Sequence, residues 1–260
     1  MASKKKKGKS NDLGFADPRF RWVTHVTEEV PRGPQGQPAH PAGSVLTMLQ
    51  IVSVEGLGRV GFPAPRPSAL LLEKAKSTIK RATKLRAGLD QQTSSKGFIK
   101  PMVDRSVTNI DPWFQFFEEA MAGVLLIHAA LDNYANEALP DDFEYTEKNQ
   151  TLSRRQIQDG MGIEKRLSRV LSQALNKPNL MTANTDLWEC LTGLKALRDD
   201  IQHMSFEDAY SQDGEGTVWS RLLSVDLSAF VTCAEEAMQH YGFKTPRSVK
   251  DVPGDDNQDD

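Results

Sequence analysis

The chain has 260 residues, 38% of them hydrophobic, and a formal net charge of -3. That length fits one domain with extensions or two small domains, and the modest apolar share points to a core flanked by polar ends. The balance of charge excludes a polycation overall, but the charge is unevenly placed. Lys4, Lys5, Lys6, Lys7 and Lys9 crowd one end, and Asp251, Asp255, Asp256, Asp259 and Asp260 crowd the other. Residues 1–18 are expected to be a disordered basic tail and 242–260 an acidic disordered tail. The basic tail either solubilises the chain or adds nonspecific attraction to nucleic acid or acidic membrane.

No apolar segment follows the first lysines, so no secretory signal is expected. The longest apolar run, Val124 to Ala130, is interrupted by His128 and is too short to span a bilayer. Cys190 and Cys233 both sit in amphipathic patterns and read as small buried hydrophobes. Without a CxxC or a Cys/His cluster, neither a metal site nor a cofactor is expected. The expectation is a reduced, soluble, cytoplasmic protein with no membrane partner.

Residues 19–67 read as an irregular N-terminal extension. From Arg19 to Thr27, Phe20, Trp22, Thr24 and Val26 alternate onto one face, as in a strand. Pro31 to Gly43 is rich in Pro, Gly and Gln and reads as loop. Val45 to Val54 leans to β, and the two runs are candidates to pair as a hairpin. Gly56, Gly58 and Gly61 spell GxGxxG, but a dinucleotide site needs a helix to open there. Phe62-Pro63-Ala64-Pro65-Arg66-Pro67 follows instead, so the motif is rejected.

The spacing of Leu72, Ala75, Ile79, Ala82 and Leu85 predicts a helix from about Ser68 to Leu89, with Ser68 as its cap. Its outer side carries Lys74, Lys76, Lys80, Arg81, Lys84 and Arg86. Two readings stand for that side: a solvated face, or a surface for RNA phosphates with Lys80 and Lys84 as contacts. Gln91 to Ile110 reads as polar loop. Asp111-Pro112 then opens the longest helix, since Asp is a good N-cap and Pro suits the first helical position. Its stripe runs Trp113, Phe114, Phe117, Met121, Val124, Leu125, His128, Leu131 and Ala135, ending near Leu139-Pro140.

Asp141 to Leu152 reads as loop. Ser153 and Gln156 form a candidate capping box for a third helix with Ile163, Leu167, Val170 and Leu171 inside. A fourth helix starts around Asn184 to Asp186, with Leu187, Cys190, Leu191, Leu194, Leu197 and Ile201 as its stripe. Gln212 to Gly216 reads as a turn and Thr217 to Leu223 as a short strand. Asp226 caps a last helix that Gly242 stops. Residues 68–241 are thus expected to form an all-α, four- to five-helix up-and-down bundle.

The fourth helix ends on Arg198-Asp199-Asp200-Ile201-Gln202-His203. This segment resembles the R-x4-6-H motif of the HEPN superfamily, an all-α bundle found in many prokaryotic toxins and defence nucleases. Asp199 supplies the polar residue after the Arg, and Leu191, Leu194 and Leu197 the leucine-rich approach; Gln202 stands where an apolar residue is common. Ala130 to Ala138, with Asp132 and Asn136, resembles the family helix that brings acidic or amide groups to the motif. The resemblance covers roughly Ser68 to Tyr241.

It implies an endoribonuclease that works without a metal, with Arg198 as phosphate clamp and His203 as acid/base, supported by Asp199, Asp132 and Asn136. It further implies RNA as substrate, a homodimer, and an antitoxin or defence-system partner. Five residues along a helix turn through about 500°, so Arg198 and His203 start roughly 140° apart. They converge only through Arg's reach, a loosened helix end, or a second copy. Other readings stay open. Arg198 pairs with Asp132 or Glu137 across the bundle, His203 answers the helix dipole, or the domain binds RNA or a partner without cutting. His128, one turn before Asp132, is either a neighbour of the site or a core histidine.

Overall fold

The computed structural model describes residues 22–25, 45–47, 49–90, 111–205 and 216–243. Both expected tails fall outside these apart from Gly242 and Phe243, as do the expected loops at 31–43 and 91–110. The chain divides into two compact units, one of them Pro67–Phe243.

In the other unit, β1 (Trp22–His25) pairs antiparallel with β2 (Val45–Thr47), the pairing expected across the Pro/Gly-rich segment. β3 (Leu49–Val54) pairs antiparallel with β4 (Gly58–Pro63). Two glycines of the rejected nucleotide motif shape this second turn, while Gly61 lies within β4 opposite Ile51. Gly56 and Gly58 take φ of 79° and 74°, backbone that residues with a Cβ rarely adopt.

The helical unit is built on α1 (Pro67–Asp90) and α2 (Asp111–Glu137). Pro67 takes the first helical position, where a missing N–H costs nothing. The Ser68 N–H and hydroxyl both donate to the Glu137 carboxylate, at 2.9 and 2.6 Å. The start of α1 is therefore held by the end of α2 rather than by Ser68 as its own cap. Arg81 pairs with Glu119 further along, so the two helices run antiparallel. Gly123 lets them approach closely: a Cβ there would lie 2.8 Å from Cγ1 of Ile79, which is itself buried. α2 is long and apolar enough to cross a membrane by length and composition. Phe116, Ala120, Val124, Ile127, Leu131 and Tyr134 nevertheless bury one face of it in the core of the bundle.

Three expectations change after α2. Asp141 to Leu152 is not all loop: β5 (Glu144–Glu147) and β6 (Gln150–Ser153) form a hairpin. Lys148 and Asn149 both take positive φ at its tip, the signature of a type I′ turn. The third helix is broken. α3 (Arg154–Gly160) begins with the expected capping box of Ser153 and Gln156, but Met161 and Gly162 are extended. The chain then re-enters helix through α4 (Ile163–Lys165), a π turn (Arg166–Val170) and α5 (Leu171–Ala174).

α6 (Leu180–Ala183) leads into α7 (Thr185–Gln202), which Asn184 caps on the Leu187 N–H. Leu187, Leu191, Leu194, Leu197 and Ile201 form its buried stripe, as the spacing predicts. The third change is that the stretch read as a strand is helix α8 (Val218–Ser224). Thr217 caps it by accepting from the Ser220 N–H.

α9 (Leu227–His240) closes the bundle against α1, α2 and α7. Asp226 caps it, and Gly242, at φ 95°, ends it with a Phe243 N–H to Met238 carbonyl bond of 2.9 Å. Phe243 then packs edge-on against Tyr134, so the helical unit extends past Tyr241. The Tyr241 hydroxyl donates to the Leu167 carbonyl and accepts from the Leu180 N–H, and burial raises its pKa. A mostly helical bundle is therefore present, with small two-stranded hairpins added.

Candidate functional site

Cys190 and Cys233 are not isolated apolar side chains. They form a disulfide between α7 and α9, and both are only half-buried. This corrects the expectation of small buried hydrophobes in a reduced protein, because spacing along each helix cannot show that the two face each other across the bundle.

The site on α7 grows from its polar side. Lys195 and Arg198 each follow a buried leucine by one position and Asp199 follows Arg198, which turns this side toward α2 and the segment after α3. Lys195 Nζ bonds Asp199 Oδ2 at 2.8 Å and lies 3.8 Å from Glu164. Arg198 Nη1 bonds Asp199 Oδ1 at 2.6 Å. The hydrogen bond from Lys195, joined by that from Arg198, holds the Asp199 carboxyl below its ordinary pKa. One carboxylate thus stays ionised between two cations, and about a quarter of the Arg198 side chain remains exposed, 28%.

His203 sits just past the helix. Its N–H still donates to the Asp199 carbonyl at 2.9 Å, but its φ of -117° and ψ of 26° leave the helical region. The side chain is exposed. The helix therefore ends at His203, with its last N–H still bonded in the helical pattern. Asp200 forms an ion pair with Arg221 of α8, which ties that end of α7 to the neighbouring helix.

Asp132 and Asn136 do not pair with Arg198. Both accept from Arg166, whose Nη2 reaches Asp132 Oδ1 and whose Nη1 reaches Asn136 Oδ1; its Nε donates to the Met161 carbonyl at 2.9 Å. Arg166 is 4% exposed, so its charge is buried and fully engaged. Glu137, the other partner considered for Arg198, holds Ser68 instead. Sequence reading missed Arg166. The signal was its place within the stripe Ile163, Leu167, Val170, where an Arg breaks the apolar pattern and needs a buried partner.

His128 lies on α2 against this cluster. It lines a cavity of about 20 Å³ with Leu131, Trp188, Leu194 and Lys195, room for a single water. Its Nε2 is buried with no hydrogen-bond partner. Burial lowers its pKa, the Arg198 charge adds to that, and Asp132 and Asp199 oppose it. His128 is thus a largely enclosed, neutral neighbour of Arg198.

Lys80 and Lys84 are exposed on α1 and line a groove beside α9. Among the described residues, no group of three or more His, Cys, Asp or Glu is arranged to hold a metal ion. Comparison of the chain with protein-family models, with curated proteins and with solved structures finds no match.

Proposed function

We propose that the chain is a HEPN-type endoribonuclease that cleaves RNA without a metal. The observation that carries this reading is the end of α7, where an exposed His203 leaves the helix five residues after a partly exposed Arg198. In this reaction the substrate's 2′-oxygen attacks the adjacent phosphorus and the bond to the 5′-oxygen breaks. The 2′-proton passes to a base and the leaving oxygen takes a proton from an acid. Histidine is the side chain suited to both transfers near neutral pH. Arg198 is a permanent, forked donor that clamps the phosphate as charge grows on it.

Asp199 has a positioning role: it grips Arg198 from the same helix and limits where the guanidinium can point. Asp132 and Asn136 act one step further out, by fixing Arg166 and the segment that carries Glu164 toward Lys195. A homodimer would bring two copies of Arg198 and His203 along one cleft and supply base and acid separately. A toxin or antiphage setting, with an antitoxin or defence partner, fits such an activity.

A second reading has its own support. The ionised Asp199 carboxylate sits 2.6 Å from the clamp and repels RNA phosphate, as expected of a module that binds RNA or a partner without cutting it. Incubation of RNA with purified protein in EDTA separates the two. The nuclease yields 2′,3′-cyclic phosphate and 5′-hydroxyl ends, and both Arg198→Ala and His203→Ala lose that product. Full activity in both variants would overturn the assignment.

A further inference from the structure

Helix α1 carries six basic side chains against two acidic ones, in a chain whose net charge is -3. Their commitments differ. Lys76 pairs with Glu73 at 2.8 Å and Glu235 at 2.5 Å, Arg81 pairs with Glu119, and Arg86 donates to the Val225 carbonyl at 3.0 Å. Lys80 and Lys84 have no ion-pair or hydrogen-bond partner among the described residues, and both are exposed. They stand four apart on one face, with Cβ atoms about 5–6 Å apart, a spacing at which like charges repel. An anion lying across both would relieve that repulsion.

The space beside them is open to solvent. Lys80 and Lys84 line an open groove of about 500 Å³ between α1 and α9. Thr83, Ser228 and Thr232 add hydroxyls to its lining, and Ile79 and Val231 add apolar surface. Among the described residues no aromatic side chain lines it, so these residues offer no surface on which a base could stack. A bilayer is a poorer fit, because the lysines line a concave groove and the apolar side of α1 is buried in the bundle.

We propose that the α1–α9 groove binds the sugar–phosphate backbone of single-stranded RNA, independently of base sequence. The choice of RNA rests on the endoribonuclease reading, while the binding itself needs no cleavage. Lys80 and Lys84 each neutralise one phosphate, and the hydroxyls of Thr83, Ser228 and Thr232 hydrogen-bond the sugar and phosphate oxygens.

The test measures retention of fluorescein-labelled polyuridine by the full chain across a salt series. The proteins are wild type, Lys80→Ala/Lys84→Ala, and a control that removes equal charge elsewhere, Lys74→Ala/Lys177→Ala. An Arg198→Ala/His203→Ala variant keeps the RNA intact. The groove pair is expected to weaken binding on the order of tenfold at low salt and to reduce the salt slope by about 1.4, from two lost phosphate contacts on a single strand. The control is expected to bind like wild type, and the groove pair is expected to weaken retention by the same factor when added to the Arg198→Ala/His203→Ala background, each compared with its own parent. If wild type cleaves nothing but the groove pair still weakens retention, the catalytic reading fails and the groove stands. Retention unchanged in the groove pair overturns the groove whether or not RNA is cut. So does a wild type that binds phosphatidylserine vesicles and no RNA. Melting curves confirm that each variant is folded, since all four lysines are exposed.

Discussion

Arg166 reaches from the π turn to α2 and closes an ion pair with Asp132, 34 positions earlier in the chain, with the Arg side chain buried and the Asp partly exposed. It satisfies a charge that the apolar surroundings would otherwise reject, and it pins the broken third helix to the longest one. Removing one partner of such a pair leaves the other uncompensated. Arg166→Ala is expected to lower stability by about 3 kcal/mol, the low end of the range because Asp132 keeps 38% of its side chain exposed to water. Asp132→Asn keeps an acceptor oxygen and is expected to lose less. Urea unfolding of the two variants checks this, and an unchanged midpoint for Arg166→Ala would show that the pair contributes nothing.

His128 sets a pH dependence. Its folded pKa lies below its ordinary value of 6.5, first through burial and then through Arg198. As the pH falls below 6.5, the unfolded chain takes up a proton that the folded chain resists, so stability drops. The fall continues until the pH passes the depressed folded value, where both states carry the proton. In His128→Gln this component disappears. Urea midpoints measured from neutral to mildly acidic pH in both proteins report the difference, and parallel curves would contradict it.

The Cys190–Cys233 bridge spans 43 positions and ties α7 to α9. A cross-link over that length stabilises by about 4 kcal/mol if loop entropy in the unfolded chain dominates. Adding a thiol reductant, or making Cys190→Ser, is expected to lower the denaturation midpoint, and reductant should then have no further effect on the Ser variant. Mass spectrometry without reductant checks that the bridge forms: two free thiols in the purified protein would refute it.

Gly123 packs directly against Ile79 of α1. A methyl group added there meets Ile79, which the core holds in place. Gly123→Ala gains helix propensity but overpacks the contact, with a net loss of about 1–3 kcal/mol. A raised melting temperature would mean that the helices separate freely at this point.

Much of the bundle was legible in the sequence because its signals are local. The Ser153–Gln156 box, the Asp226 cap, the Gly242 stop and the leucine stripe of α7 all lie within a few residues of what they determine. Thr217 misled for an instructive reason. The stretch from Thr217 to Leu223 read as a short strand, yet Thr217 works as an N-cap, a role decided by its backbone angle. The β5–β6 hairpin escaped because its short strands bury little beyond Tyr145, leaving no clear alternation.

The candidate site was legible only in part. Arg198 and Asp199 share a helix, so their contact follows from chain position. The partner of Asp132 and Asn136 does not, since Arg166 reaches them only through a π turn created by tertiary packing. Nor does the placement of His128 beside Arg198, which depends on how α2 and α7 cross.

The most direct measurement is the rate of RNA cleavage by the full chain in EDTA beside His203→Ala. Wild type is expected to produce 2′,3′-cyclic phosphate ends, and His203→Ala to be slower by about 10²–10⁴-fold, the usual share of a general acid or base, with its melting temperature intact because His203 is exposed. Equal rates in the two proteins, or no cleavage by either, would contradict the assignment of the α7 end as a nuclease site.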